Sequence, residues 1–456
     1  NVQVGEETVG ETLVKKVNAA QEEDPLYVAD LGDVVKKWLL WHRELPTVEP
    51  HYAVKCNPDQ AVLTTLAALG AGFDCASKEE LKKVLGVGVT AERIIYANPC
   101  KQSSHIKYAA RKNVRQMTFD NESELYKIKQ LYPTAQLVLR ILPPEDTKCQ
   151  CPLGMKFGVH PNKASYLLKR AKELELDVIG VSFHVGSGCY DTKAWSLGVA
   201  SAANVFQMGK SLGFNFSLLD LGGGFPGHGN TEISFEAICV DLRAALQTYF
   251  PPSSGVRVIA EPGRFFVASA FTLAVNVISK RQESRDTDAV LEDESSKDLE
   301  PMFMYYVNDG VYGSFNCLMY DHAKVHPKLF DPQRFVDKPA FESSIWGPTC
   351  DGLDCVCEKI MFPELEQGDW IYFNNMGAYT CAASSTFNGM KKPDIHYIIS
   401  DTDFDSLCLE EISQKCYGDH PCQEISQCPM SLKSKKSRSR TLSATMALST
   451  PVAAAM

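Results

Sequence analysis

The sequence is short of what several protein classes require. No uninterrupted apolar run in its 456 residues approaches the ~20 that a membrane-spanning helix needs, so no membrane partner is expected. Residues 1–24 are polar and mixed in charge and hold no apolar core of a secretory signal, so a cytoplasmic protein is expected. Basic charge is scarce too: 46 Lys and Arg face 56 Asp and Glu, a formal net charge of −10. Neutralising nucleic-acid phosphates needs a net basic surface, which excludes that task as the main one. Zinc-type spacing is missing. The 16 cysteines include Cys149-x-Cys151 and Cys355-x-Cys357, but neither has a two-residue gap or a distant second pair. No metal is expected, and the thiols read as reduced and mostly buried, which suits the cytosol.

Apolar material is ample. A 45% hydrophobic fraction with 10% aromatics supplies a large core and excludes wholesale disorder. The middle of the chain alternates short apolar runs with amphipathic stretches. The runs at 52–55, 72–75, 94–97, 116–119, 137–141, 179–184, 217–221 and 256–261 predict strands. Helices are predicted at 60–69, 78–85, 122–131, 163–174 and 235–249, the third of them with a cap in Asp120–Glu124. Eight strand–helix repeats of this size predict an α/β chain folded as a (β/α)₈ barrel. A doubly wound open sheet is the alternative, and it lacks a glycine-rich dinucleotide turn after the first strand.

After Glu261 the pattern changes. Short β-branched or aromatic runs at 271–279, 302–308, 344–346, 369–373 and 396–399, separated by turns, predict a second, mainly antiparallel β domain. Residues 27–31 add a strand to it. The expected division is an N-terminal segment 1–34 contributing to the β domain, a barrel 35–270 and a β domain 271–410. A flexible acidic loop is expected at 285–300, and a polar, basic, disordered tail at 411–456.

A barrel places its chemistry at the C-terminal ends of its strands. Those ends carry Lys55, Asp74, Asn98, Asp120, Arg140, His184, Gly222-Gly223-Gly224 and Glu261-Pro262-Gly263-Arg264. Each has a bland reading singly: a lysine snorkels, Asp and Asn cap helices, a histidine packs in the core. Jointly they form a candidate site. Burial at the barrel mouth should lower the Lys55 pKa and free its lone pair for Schiff-base chemistry. The glycine run lets backbone approach an anion, and Arg264 adds a fixed positive charge. A reactive lysine facing a phosphate site suggests pyridoxal phosphate, with Glu261 on its ring nitrogen and His184 against its face.

Longer motifs sharpen this. Tyr52-Ala53-Val54-Lys55-Cys56-Asn57, Ser182-Phe183-His184-Val185-Gly186-Ser187-Gly188, Leu221-Gly222-Gly223-Gly224-Phe225-Pro226-Gly227 and Glu261-Pro262-Gly263-Arg264 resemble the eukaryotic, alanine-racemase-fold ornithine decarboxylases. So do Tyr320-Asp321-His322, the stretch from Trp346 to Asp354, and Asn375-Met376-Gly377-Ala378-Tyr379-Thr380. The resemblance spans about Tyr27 to Ser400. It implies decarboxylation of L-ornithine to putrescine, the first step of polyamine biosynthesis, with pyridoxal 5′-phosphate on Lys55. Ser187, Gly224, Arg264 and Tyr379 would bind the phosphate, with Gly222 and Gly223 shaping the loop and Pro262 and Gly263 part of the cofactor motif. Glu261, His184, Asp74 and Arg140 would serve the ring and its surroundings. Tyr320, Asp321 and Asp351 would line the substrate's distal-ammonium pocket, and Cys350 would donate a proton to Cα. The resemblance also implies a homodimer with shared sites, Cys350 and Asp351 coming from the partner, and raises antizyme as a protein partner. Two alternatives share the motifs: an inactive antizyme-inhibitor-like regulator, and a lysine or arginine decarboxylase. The stretch 142–154 matches no familiar pattern.

Overall fold

The structure, a computed structural model, describes residues 2–19, 23–144, 147–228, 233–283 and 301–408. The acidic loop expected at 285–300 and the tail expected at 411–456 lie outside the described residues.

Eight parallel strands close into a barrel: Val48–Ala53, Gly72–Cys75, Ile94–Tyr96, Gln116–Phe119, Gln136–Arg140, Asp177–Ser182, Leu218–Asp220 and Arg257–Ala260. Each pairs with the next in sequence, and the eighth pairs with the first through Ile259 and Glu49. Closure rules out the open doubly wound sheet. Ile95, Ala97, Val138, Ile179, Leu218 and Ile259 pack as a cluster apart from the main core, as a filled barrel interior does. Outside, helices start where short polar side chains satisfy free N–H groups. Asp59 caps Gln60–Leu69, Ser77 caps Lys78–Gly86, and Asn121 caps Glu122–Leu131 with its Oδ1 3.0 Å from Glu124 N.

Three differences from the sequence reading have physical causes. The first strand begins at Val48 and ends at Ala53, whose N–H bonds the Pro262 carbonyl at 3.1 Å; Val54–Cys56 then curls into a 3₁₀ turn. The helix Lys193–Ser211 carries two glycines that argue against it locally, and packing explains both. A Cβ at Gly198 would lie 2.3 Å from the Phe183 ring, and one at Gly209 2.5 Å from Phe216. Finally, Cys149–Cys151 pairs antiparallel with Ser187–Cys189, forming a two-stranded strap over the barrel's C-terminal face.

The second domain is a nine-stranded sheet. Its central strand, Phe271–Glu283, pairs antiparallel with Leu26–Asp30, Met302–Val307 and Trp370–Phe373. Val2–Val4 and Leu26–Asp30 both flank Asp394–Ile399 in parallel, so both ends of the described chain meet in this sheet. No helix among the described residues is long and apolar enough to cross a membrane.

Candidate active site

The 3₁₀ turn carries Lys55 to the barrel mouth, where its Nζ hydrogen-bonds the Asp74 carboxylate at the end of the neighbouring strand. Burial alone would depress this amine, but Asp74 and then Glu261 outweigh it and raise Lys55 well above the ordinary lysine range. The expected free lone pair is therefore corrected. Asp74 is the carboxylate that holds the side chain as an ammonium, with the acidic Glu261 facing it from a strand far away in sequence.

Glu261, just past the eighth strand, is itself pushed well above the usual carboxylate range by burial and by the carboxylate of Asp220. Its N–H reaches Gly222 O at 2.7 Å, which ties the eighth strand end to the glycine run. There the backbone turns left-handed at Gly222 (φ 64°) and Gly224 (φ 106°), and a Cβ at Gly222 would lie 2.2 Å from Phe183 O. Only glycine fits such a close approach.

His184 is buried, and its Nδ1 accepts the Gly186 N–H at 3.1 Å. Burial, then the charges of Arg140 and Lys55, hold it well below the usual imidazole range, so it stays neutral. Arg140 lies 5.2 Å from the Phe157 ring centre.

Arg264 and its partners line the other side of the mouth. Arg264 Nη2 donates to Ser187 Oγ at 2.7 Å and to the Asp321 carboxylate at 2.8 and 3.1 Å. The Tyr379 ring lies 5.1 Å from the same guanidinium. Tyr379 holds φ at 56°, a strained value for a bulky residue, and its N–H bonds Cys56 O at 3.0 Å, which pins it against the lysine's own turn. Pro262 and Gly263 supply the turn that sets Arg264: Gly263 leaves no room for a larger residue against Cys56, 2.9 Å from a would-be Cβ.

The remaining expected residues lie elsewhere. Asn98 and Asp120 serve loops, accepting Cys100 N–H at 3.1 Å and Gly158 N–H at 2.8 Å. Tyr320 is 74% exposed in the single chain. Cys350 is exposed, with its N–H on Asn388 Oδ1 at 3.0 Å. Asp351 accepts from the Tyr312 hydroxyl and from Leu353 N–H at 2.9 Å. These hydrogen bonds tie both residues to other parts of the β domain and not to Lys55, Asp74 or Arg264.

Four contributors went unread in the sequence. Tyr312 holds Asp351, with no local pattern to announce it. Asp220 is fully buried beside Glu261; an aspartate at a strand end before three glycines was the available signal. Gln150 and Cys151 reach from the strap to Asp321: Gln150 Nε2 donates to its carbonyl, and Cys151 Sγ lies 3.6 Å from the same oxygen.

Known proteins share this architecture. Residues 31–268 match the family described as pyridoxal-dependent decarboxylase, pyridoxal binding domain. The chain is 55% identical over 390 residues to ornithine decarboxylase of Mus musculus, covering 85% of this chain and 83% of that one. It is 53% identical over 388 residues to antizyme inhibitor 2 of Xenopus laevis, covering 85% and 84%. The crystal structure of the Paramecium bursaria Chlorella virus arginine decarboxylase bound to agmatine superposes with a TM-score of 0.78 at 34% identity, covering 85% of this chain and all of that one.

Proposed function

The chain belongs to the pyridoxal-dependent decarboxylase family, and from that premise we propose that it decarboxylates L-ornithine to putrescine and carbon dioxide. Its cofactor is pyridoxal 5′-phosphate. The carrying observation is the placement of the Lys55–Asp74 pair across the barrel mouth from Arg264, Ser187 and Tyr379.

The residues fit such a cofactor. Asp74 Oδ1 and Ser182 Oγ are buried in the mouth without hydrogen-bond partners, so the site still offers polar atoms to a ligand. Arg264, Ser187 and Tyr379 offer donors to a phosphate, and the glycine run brings backbone within reach. Glu261, whose proton affinity is raised by its burial beside Asp220, suits a carboxyl that shares a proton with a ring nitrogen, and the neutral His184 offers a flat face without a competing charge. When bound, the cofactor supplies an electron sink for the bonding pair left by the departing carboxylate.

The chain's own groups do the rest. Lys55 presents its amine at the mouth, held in place by its ion pair with Asp74. Asp321, which pairs with the Arg264 guanidinium, brings a carboxylate to the mouth that suits a substrate ammonium. Asp351, oriented by Tyr312, gives the distal ammonium a second carboxylate, and a cation so flanked is preferred over an uncharged chain end. Cys350 donates the proton that Cα receives after carbon dioxide leaves. Its exposure on the β domain, where its N–H bonds Asn388, supports a homodimer in which the partner subunit completes each site.

The 55% identity with an ornithine decarboxylase favours ornithine over lysine or arginine. A regulator resembling the antizyme inhibitor is the second reading, favoured by the 53% match; the same match supports antizyme as a protein partner. The presence of Lys55, Asp74, Arg264, Asp321 and Cys350 together favours the enzyme. Carbon dioxide release from carboxyl-labelled ornithine, lysine and arginine tests the proposal. Release should be greatest with ornithine and absent in Lys55→Ala. No release from any of the three by the cofactor-loaded protein would leave the regulator.

A further inference from the structure

The strap contains a pair of thiols that no catalytic role uses. Cys149 stands opposite Cys189, and Cys151 opposite Ser187, in the antiparallel register. The hydrogen bonds tell which kind of pair this is. Tyr190 N–H donates across the strap to Lys148 O at 2.8 Å, while Cys189 N–H donates away from it, to Gly224 O at 3.0 Å. Cys149 and Cys189 are therefore a non-hydrogen-bonded pair, the kind whose Cα atoms come within about 4.5 Å and whose side chains share one face. That spacing is at the short end of the roughly 4.4–6.8 Å a disulfide spans. Cys149 Sγ lies over Gly186, where an added Cβ would meet it at 2.4 Å, so the thiol sits directly above the loop that carries Ser187.

We propose that Cys149 and Cys189 form a redox-sensitive pair whose disulfide fastens the strap across the phosphate-binding loop. The partner reagent is a low-molecular-weight disulfide such as oxidised glutathione. The partly exposed Cys149 loses its proton and attacks it, forming a mixed disulfide and releasing one glutathione thiol. Cys189 then loses its proton and attacks Cys149 Sγ, releasing the second. Two protein thiols are oxidised and one glutathione disulfide is reduced. Burial raises Cys149 and pushes Cys189 up to about 12, so the bridge forms slowly, under sustained oxidation and not in passing. Cys151 has no thiol opposite it, and its Sγ faces Asp321.

The fastening role rests on the phosphate site argued above; the pairing itself does not. The test incubates the holoenzyme with oxidised glutathione, alkylates the remaining thiols, and maps peptides by mass. A Cys149–Cys189 linked peptide, reversed by dithiothreitol, lost in Cys149→Ser and kept in Cys151→Ser, is expected. In the oxidised protein, release of bound pyridoxal phosphate on dilution should slow several-fold, and Cys149→Ser should show no such change. Absence of the linked peptide, or a bridge through Cys151, would overturn the pairing. A bridge with an unchanged release rate would overturn the fastening. A protein that holds no pyridoxal phosphate refutes the cofactor site instead, and the peptide map still decides the pair.

Discussion

Asp309→Asn should stabilise the protein at alkaline pH and leave it nearly unchanged in acid. Asp309 opens the turn that carries Tyr312, is 6% exposed, and accepts the N–H groups of Gly310 at 2.8 Å and Ser314 at 3.0 Å through one oxygen. Burial, against those hydrogen bonds, raises its pKa from an ordinary 3.8 to about 6. The sign follows from proton counting. Between those two values the unfolded chain has released the proton and the folded chain still binds it, so stability falls as pH rises. Below the lower value both states are protonated and nothing is lost; above the upper one the penalty is constant. At ~1.4 kcal/mol per pKa unit, the penalty is about 1 kcal/mol at pH 4.5 and about 3 kcal/mol at pH 8. Asparagine keeps the accepting oxygen and does not titrate, so any fixed cost of the substitution cancels between the two pH values. The variant-minus-wild-type stability, from urea unfolding at equal protein concentration, should therefore rise by about 2 kcal/mol from pH 4.5 to 8. A change indistinguishable from zero, or of opposite sign, would refute the argument that burial governs this carboxyl.

Three further outcomes follow from the site. Asp351→Ala should raise the Michaelis constant for ornithine strongly, and Tyr312→Phe should move it the same way by less; equal efficiency on ornithine and norvaline in the wild type would remove the charge-pair account. Cys350→Ala should slow product formation and increase the fraction of turnovers in which the wrong carbon is protonated, read by product chromatography; an unchanged rate with pure putrescine would exclude the thiol. Lys55→Ala and Cys350→Ala proteins, mixed under subunit exchange, should regain about a quarter of wild-type activity, because half the dimers are mixed and each has one intact site. Exchange proven by mass tagging without recovery would place Cys350 in its own chain's site.

Much of the barrel was readable because its strands are continuous apolar runs and its function sits at their ends. Lys55, Asp74, His184, Glu261 and Arg264 could be named from position alone. Contacts that join distant segments were not readable. The sign of the Lys55 shift depends on Asp74 and Glu261 arriving from strands two and eight, which only closure brings together. The strap at Cys149–Cys151 is only three residues long and has no β-branched residue, and its strand character comes from pairing with Ser187–Cys189. The Arg264–Asp321 contact spans the two domains, and nothing in either motif announces the other.

The position of Asp394–Ile399 between Val2–Val4 and Leu26–Asp30 also sets a timetable for synthesis. Every barrel strand lies between Val48 and Ala260, so the barrel can close while the ribosome is still making the rest. The two earliest strands have to wait. Among the described strands, Leu26–Asp30 gains its first neighbour only when Phe271–Glu283 emerges, and Val2–Val4 pairs only with Asp394–Ile399, made almost 400 residues after it. Through that interval the nascent chain trails an unpaired strand edge beside a finished barrel, the kind of edge that recruits other chains. Synthesis itself is then a stage at which this protein presents an edge open to misassembly.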